Sequence, residues 1–305
     1  MKSTKIKDKL SIELITGHGL LKSELCRVFT PSTKNETLKF LKGNKNNTQI
    51  TLVGGRQSYH DSILPGMLSN GTQYILDLQQ LKEKLEINET KGILTVSAGI
   101  TFYEMLKVLQ GTGYHLHSIP GTGNVTIGGA VASDVHGKDS WFRGNFISQI
   151  QSLLVVNRFG EEFLIENVEA WLAEENIVGL DFCILEVSLY LKKIERPSLY
   201  LETEEIRFAS ILEGIQVMVN TSSSNWQYMV AWVDCLHANK TGATGRGILS
   251  LAREASSAKQ EFQDSKIQIF EDANSIIGLP TKLFWRIAKL FYCKKTLRLA
   301  NALKY

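Results

Sequence analysis

Apolar positions in this chain fall into short blocks whose ends are marked by glycine, and the period within each block separates helices from strands. Thr33 to Gly43 carries Leu38 and Leu41 on one face, Thr33 and Glu36 at capping-box spacing and a terminal glycine, which predicts a short helix. Thr48 to Val53 is β-branched and runs straight into Gly54-Gly55-Arg56-Gln57-Ser58, a strand that opens onto a loop. Tyr74 to Leu78 and Gly92 to Gly99 predict two more strands. Thr101 and Glu104 then cap a helix bearing Met105, Leu106, Val108 and Leu109, stopped near Gly111 and Gly113. Ile150 to Val156 and Glu162 to Ile165 flank a turn at Asn157 to Gly160 and read as a hairpin, and Cys183 to Leu191 is a further strand. A charged break, Lys192 to Arg196, followed by Pro197, places a boundary between a first domain, 1–195, and a second, 196–305. Beyond it, Trp226 to Val233 predicts an aromatic-rich strand and Thr241 to Gly247 a glycine-rich turn. Leu283 to Tyr305 predicts a basic, apolar helical tail that packs on a core rather than on a membrane surface.

The 305 residues suffice for two domains, and 43% hydrophobic with 21% charged residues is the balance of a globular chain. A net charge of +3 gives no field for nucleic acid. Cys26, Cys183, Cys235 and Cys293 are widely spaced, so neither a disulfide framework nor a metal site is expected; reduced, mostly buried thiols are. The N-terminal lysines precede no signal-like apolar run, and no run is long enough for a transmembrane helix. A cytoplasmic location, with membrane-peripheral association as the variant, follows as the expectation.

Candidate chemistry concentrates in Pro120 to Asp139, PGTGNVTIGGAVASDVHGKD, where Gly121, Gly123, Gly128, Gly129 and Gly137 are crowded together. Glycine serves where another group must approach the main chain, and successive free amides form a concavity for an anion such as phosphate. A tight turn beside a core strand is the competing reading, and spacing alone leaves the two open. The Rossmann pattern is excluded because Gly54-Gly55-Arg56 opens no helical period, and no GxxxxGK[ST] run is present.

Taken together, Gly54 to Tyr59, Ile75 to Leu78, Val96 to Gly99 and Pro120 to Asp139 resemble the FAD-binding domain of the vanillyl-alcohol-oxidase/PCMH superfamily. Within it, the likeness is to FAD-linked oxidases related to the decaprenylphosphoryl-ribose 2-epimerase oxidase subunit, and it extends through Gly144-Asn145-Phe146 and, weakly, Trp232-Val233-Asp234 and Gly245-Arg246-Gly247. The resemblance implies an α+β fold: a PCMH-type FAD-binding domain of two α/β subdomains, then part of an antiparallel-sheet substrate domain. It implies FAD, held non-covalently, with a first loop of Gly54, Gly55, Arg56, Gln57, Ser58, Tyr59, His60, Asp61 and Ser62. A second loop comprises Gly121, Thr122, Thr126, Ile127, Gly128, Gly129 and Ser133, with His136, Gly137, Lys138 and Asp139 beside the flavin ring and Ile184 a later contact. Lys138, Tyr59 and His136 become the catalytic candidates: a cation for reduced flavin or substrate, a cavity wall and a loop-holding imidazole. The implied reaction oxidises a secondary alcohol of a sugar, polyprenyl-phosphate-linked in the nearest relatives, by hydride transfer to flavin, with a short-chain dehydrogenase as partner.

Two departures are visible. The family's glycine-rich run before the last FAD-domain strand is replaced by Glu174 to Phe182 with the single glycine Gly179, so a different loop path is expected there. The family's substrate domain also continues past the motif matched by Asn301 to Tyr305, so a C-terminally truncated chain is expected, and with it an alternative reading as a flavin-fold protein without independent catalysis.

Overall fold

The computed structural model describes residues 9–19, 22–44, 48–65, 72–173, 182–194, 201–222, 225–238, 242, 244–255, 275–276, 279–280, 283, 286–287 and 293–305. The chain divides into two units: Met1–Gly137 with Arg143–Pro197, and Lys138–Phe142 with Ser198–Tyr305. Residues 138–142 therefore group with the second unit although they interrupt the first in sequence. The expected boundary at 195/196 falls outside the described residues, as does Glu174 to Asp181.

The first unit contains two sheets. In the first, β1 (Leu10–Thr16) and β2 (Ser23–Phe29) form an antiparallel pair, and β2 and β3 (Thr48–Val53) each run parallel to β4 (Thr72–Asp77), in the order β1-β2-β4-β3. Helix α1 (Lys34–Gly43) makes the crossover from β2 to β3; Thr33 caps it through the Glu36 amide, and Phe40 stacks on Phe29 with centroids 4.3 Å apart. Only half of the expected capping box forms, because the Glu36 carboxylate turns to Lys9 and to the Ser32 amide.

The second sheet, β5 (Leu85–Asn88), β6 (Ile93–Ser97), β10 (Phe182–Lys193), β8 (Ile150–Asn157) and β9 (Glu162–Ile165), is antiparallel throughout, and β7 (Tyr114–Leu116) also pairs with β10. Helix α2 (Phe102–Leu109) starts at a complete Thr101/Glu104 capping box, as its spacing predicts. Short helices α3 (Ile127–Ala132), α4 (Ser140–Arg143, its first three residues in the segment grouped with the second unit) and α5 (Val168–Ala173) follow in the chain. One apolar core runs from Phe29 and Phe40 of the first sheet layer to Val96, Ile127, Val155 and Val187 of the second, so the two sheets share a single interior.

In the second unit, β11 (Leu201–Phe208), β12 (Tyr228–Ala238) and β13 (Thr244–Glu254) form an antiparallel sheet in the order β11-β13-β12. Helix α6 (Ile211–Thr221) crosses one face over Phe208, Leu249 and Leu251. Gly214 permits this approach, since a Cβ there would lie 2.8 Å from the Phe208 ring. The α+β class and antiparallel second sheet agree with the sequence reading. Two local expectations are corrected. Thr244 to Gly247 is strand rather than turn, because the β13 ladder already pairs Ala238 with Thr244 and Asp234 with Arg246. The C-terminal helix α7 (Lys294–Lys304) buries no residue. Its Leu297, Asn301 and Tyr305 are half-buried at four-residue spacing, whereas Leu299 and Leu303 are exposed. Polar contacts anchor it: Asn301 Nδ2 donates to Asp234 Oδ1 at 2.6 Å, and the Arg246 guanidinium lies 4.4 Å from the Tyr305 ring centre. No helix among the described residues is long and apolar enough to cross a membrane.

Candidate functional site

Two loops distant in sequence meet in the first unit. β3 ends at Val53, and the next residues, Gly54 and Gly55, lie against the turn that starts α3. The Gly55 amide donates to Thr126 Oγ1 at 3.2 Å, and the same oxygen caps α3 by accepting from the Gly129 amide at 3.4 Å. Glycine is required at this junction. A Cβ on Gly54 would collide with the Thr126 hydroxyl, and one on Gly55 would lie 2.6 Å from the Asn124 carbonyl oxygen. α3 is in turn fastened to the end of β6: the Ile127 amide donates to Ile100 O at 2.8 Å, and the Gly128 amide to Ala98 O at 3.0 Å. A bulge in β10 between Ile184 and Glu186 turns the Leu185 carbonyl toward the Ala98 amide, 2.9 Å away.

These contacts border an open cavity of about 80 Å³. Gly54, Thr126, Gly128, Gly129 and Ile184 line it, all of them expected from the sequence. Leu52, Val53, Leu78, Ala98 and Ala132 complete the wall. The sequence reading had placed these five in strands or packing, although Ala98 stands before the glycine that closes GILTVSAG, the same sign that marked the first loop. Among the described residues, the main-chain amides of Arg56, Gln57, Ser58, Gly121 and Thr122 have no hydrogen-bond partner, and a Cβ on Gly121 would meet nothing within 4 Å. An apolar wall of small residues with unengaged amides close by in sequence on each loop is a donor set for a flat ring joined to phosphates.

Residues 27–164 match the FAD binding domain family. They form an FAD-binding domain. The chain is 26% identical over 218 residues to the decaprenylphosphoryl-beta-D-ribose oxidase of Mycolicibacterium smegmatis, covering 69% of this chain and 46% of that protein. It is 26% identical over 193 residues to the D-arabinono-1,4-lactone oxidase of Candida glabrata, covering 61% and 35% of the two chains. The chain thus spans less than half the length of the curated relatives it matches. Among solved structures, an alkyldihydroxyacetonephosphate synthase superposes with a TM-score of 0.64 at 14% identity, over 83% of this chain and 54% of that one, which shows a shared fold.

Within the FAD-binding domain the remaining first-loop residues separate into distinct roles. Arg56 adopts a left-handed φ of 55° and pairs with Asp77, which is only 2% exposed, while its Nη2 also reaches Glu13 Oε2 at 3.3 Å. Burial opposes the guanidinium's charge, but Asp77 and Glu13 outweigh it and raise its pKa. The Arg56 side chain is therefore committed to the protein, which leaves only its main chain for the expected loop contact. The Gln57 side chain likewise turns back, donating to Gly55 O at 2.9 Å. Ser58 O accepts from the His18 amide, whereas Tyr59 is 69% exposed with its ring edge-on to His18. Tyr59 does not line the cavity, contrary to expectation. His60, Asp61 and Ser62 are exposed, with Asp61 opening a 3-10 turn, Asp61–Ile63.

On the second loop, Ile127 is fully buried with its amide already bonded, so it supports the α3 turn as core. Ser133 and His136 are exposed, and Gly137 is buried. The sharp bend between them is held by Asp134 (φ 37°), whose carboxylate accepts from Asn145 Nδ2 at 2.7 Å and from the Ile147 amide at 3.3 Å. Lys138 and Asp139 belong to the second unit. There Lys138 is exposed and its carbonyl accepts from the Met229 amide at 2.8 Å, while Asp139 is 2% exposed. The Phe182 ring packs edge-on against Trp171 and Phe163. The thiols divide evenly: Cys26 and Cys183 are buried, and Cys235 and Cys293 are exposed, which corrects the expectation of mostly core cysteines. Burial pushes the Cys183 thiol up to about 12.

Proposed function

We propose that this chain carries the cofactor half of an FAD-dependent oxidoreductase that oxidises a secondary alcohol of a sugar or sugar-derived substrate. The observation that carries the reading is the Gly55–Thr126 junction, which draws two glycine loops together inside the stretch that matches the FAD binding domain. The names of the relatives, a decaprenylphosphoryl-ribose oxidase and an arabinonolactone oxidase, support a sugar-like substrate.

In this reading Gly54, Gly128, Gly129 and Thr126 admit the cofactor's flat ring system against main chain, and the free amides of Arg56 to Ser58, Gly121 and Thr122 take its phosphates. Attachment is non-covalent, with exposed His60 left unmodified. FAD, when bound, supplies the acceptor for two electrons. Lys138 offers an ammonium to the negative charge that develops as the alcohol is oxidised and to the substrate hydroxyl. His136 orients the loop between Gly129 and Lys138. The ketone product suits a partner that returns hydride, such as a short-chain dehydrogenase, and a cytoplasmic site, at or near the membrane for a lipid-linked sugar, completes the proposal.

The test is reconstitution of the purified chain with FAD, followed by desalting. We expect a visible flavin band to be retained, and released on denaturation without covalent linkage. Lys138→Ala should keep the band and lose its anaerobic bleaching by ribose- or arabinose-type substrates. A chain that retains no flavin would overturn the reading; bleaching unchanged in Lys138→Ala would remove Lys138 from it.

A further inference from the structure

Helix α7 reverses the ordinary division of an amphipathic helix, in which leucines face the protein and polar groups face water. It carries Lys294, Lys295, Arg298 and Lys304 and no carboxylate. Taking these four from the chain's 34 basic residues would leave fewer than its 31 acidic ones, so this one helix accounts for the whole positive excess. Its inward row is Leu297, Asn301 and Tyr305, and polar contacts hold that row in place. Asn301 donates to Asp234, the Tyr305 hydroxyl donates to Phe208 O at 3.5 Å, and the Arg207 and Arg246 guanidinium groups lie 5.6 and 4.4 Å from the Tyr305 ring centre. Lys304 also turns to the sheet, with its ammonium 4.8 Å from the Trp232 ring centre. Fixing the inward row fixes the outward ones, because residues four apart stack on one face of a helix. One outward row is Lys295, Leu299 and Leu303, and the row beside it is Lys294, Arg298 and Ala302; all six are exposed. Leu299 is 64% and Leu303 81% exposed, and among the described residues Lys294, Lys295 and Arg298 take part in no ion pair.

We propose that this face of α7 docks on the surface of an anionic lipid bilayer. The boundary between headgroups and acyl chains offers hydrocarbon to Leu299 and Leu303 and anionic headgroups to Lys294, Lys295 and Arg298 at one depth. The lysine and arginine stems reach past the leucines, so cations and aliphatic groups in adjacent rows serve one surface together. Charge selects the lipid, since three cations without partners gain nothing from an uncharged headgroup and attract an anionic one. Nucleic acid would supply phosphates but no hydrocarbon for the two leucines beside them. Length decides how the helix lies. Its 11 residues rise about 16 Å, roughly half the hydrocarbon thickness of a bilayer, so α7 rests along the surface and does not cross it. The proposal rests on the oxidoreductase reading only for the membrane's place in the reaction, where a lipid-linked sugar is held in the same bilayer.

Flotation of the full chain with vesicles tests this, using phosphatidylcholine alone and phosphatidylcholine with about 30% phosphatidylserine. We expect the chain to float with the anionic vesicles and not with the neutral ones, and to be released as salt is raised. The triple variant Lys294→Gln, Lys295→Gln, Arg298→Gln should weaken that binding about a hundredfold. The double variant Leu299→Gln, Leu303→Gln should weaken it about tenfold. Thermal melts check that each is folded, and two variants are used so that loss of fold in one leaves the other decisive. A matched removal of charge from the first unit, Lys39→Gln, Lys42→Gln, Lys91→Gln, all at exposed positions, should leave vesicle binding unchanged. No flotation, equal flotation with both vesicles, or a loss in the first-unit variant as large as in the α7 triple variant would overturn the proposal. Binding to polyglutamate without binding to anionic vesicles would also overturn it and assign the face to an acidic protein. The readout requires no FAD, so a chain that retains flavin but does not float sinks this face alone. A chain that floats but retains no flavin sinks the oxidoreductase reading and leaves the docking face standing.

Discussion

Arg56 shows how one residue can carry a motif and yet act elsewhere. Its place after Gly54-Gly55 suggests a cation for a phosphate loop, but its side chain neutralises Asp77, a carboxylate only 2% exposed at the end of β4. The partner lies 21 positions away across a parallel strand pair, a distance no local pattern encodes. Asp77 also accepts from the Gln79 amide at 3.0 Å, a second contact that fixes the carboxylate. Arg56→Ala would strand that buried charge and, with Arg56 partly open to solvent, should cost about 2–4 kcal/mol in denaturant unfolding. In an Asp77→Asn background the same substitution should cost much less. Equal costs in both backgrounds would mean that the pair is not what Arg56 contributes. The ion pair also accounts for the left-handed backbone at Arg56, a conformation that disfavours a side chain unless neighbouring contacts hold it.

At the scale of elements, local signals were legible where they were self-contained, except that Glu36 leaves its capping box for Lys9 and the Ser32 amide. The Thr101/Glu104 box, the 150–165 hairpin and the strand running into Gly54 need only near neighbours, and each forms as read. Elements decided by distant partners were not legible. Gly247 looks like a turn residue, yet β13 pairs on both sides of it and draws it into strand; the α7 leucines look like a core stripe, yet the contacts of Asn301 with Asp234 and of Tyr305 with Arg246 orient that helix. The glycine-rich centre divides in the same way. Its density was visible, but whether each glycine faces ligand or protein depended on the fold, and Gly54 and Gly55 turn out to touch α3's cap. Gly54→Ala should therefore push the first loop away from Thr126 and lower FAD retention several-fold while the domain stays folded. Gly43→Ala, at the end of α1 with nothing within 4 Å of its Cβ position, should leave FAD retention unchanged and raise stability by about 0.4–1 kcal/mol. Flavin fluorescence after desalting, alongside thermal melts of both variants, measures the contrast. Equal retention in the two would show that the loop junction is not a cofactor wall.

For the molecule as a whole, both units are built on carboxylates whose partners favour ionisation, and this sets the direction of its pH response. In the first unit, Glu13 is lowered by the Ser11 hydroxyl and, against burial, by Arg56. Burial raises Glu36 and Glu104, but Lys9 with Ser32 and Lys82 with Thr101 more than offset it. In the second unit, burial works against Asp234, and Asn301, the Leu236 amide and Arg246 together bring its pKa below the ordinary carboxylate value. A carboxylate lowered on folding adds stability that is fully present above its unfolded pKa, about 4, and is lost as pH falls through the lower folded value. These four groups therefore leave stability flat between about pH 6 and 8 and withdraw their contributions together below about pH 4. Because Asp234 is the group in the second unit that joins β12, β13 and α7, Asp234→Asn should flatten the acid limb of that unit's unfolding while leaving the limb of the first unit in place. Thermal unfolding followed across this range, using near-ultraviolet circular dichroism of Trp226 and Trp232 for the second unit and flavin release for the first, separates the limbs. An acid limb in the second unit that is as steep in Asp234→Asn as in the parent would place its acid sensitivity outside this cluster.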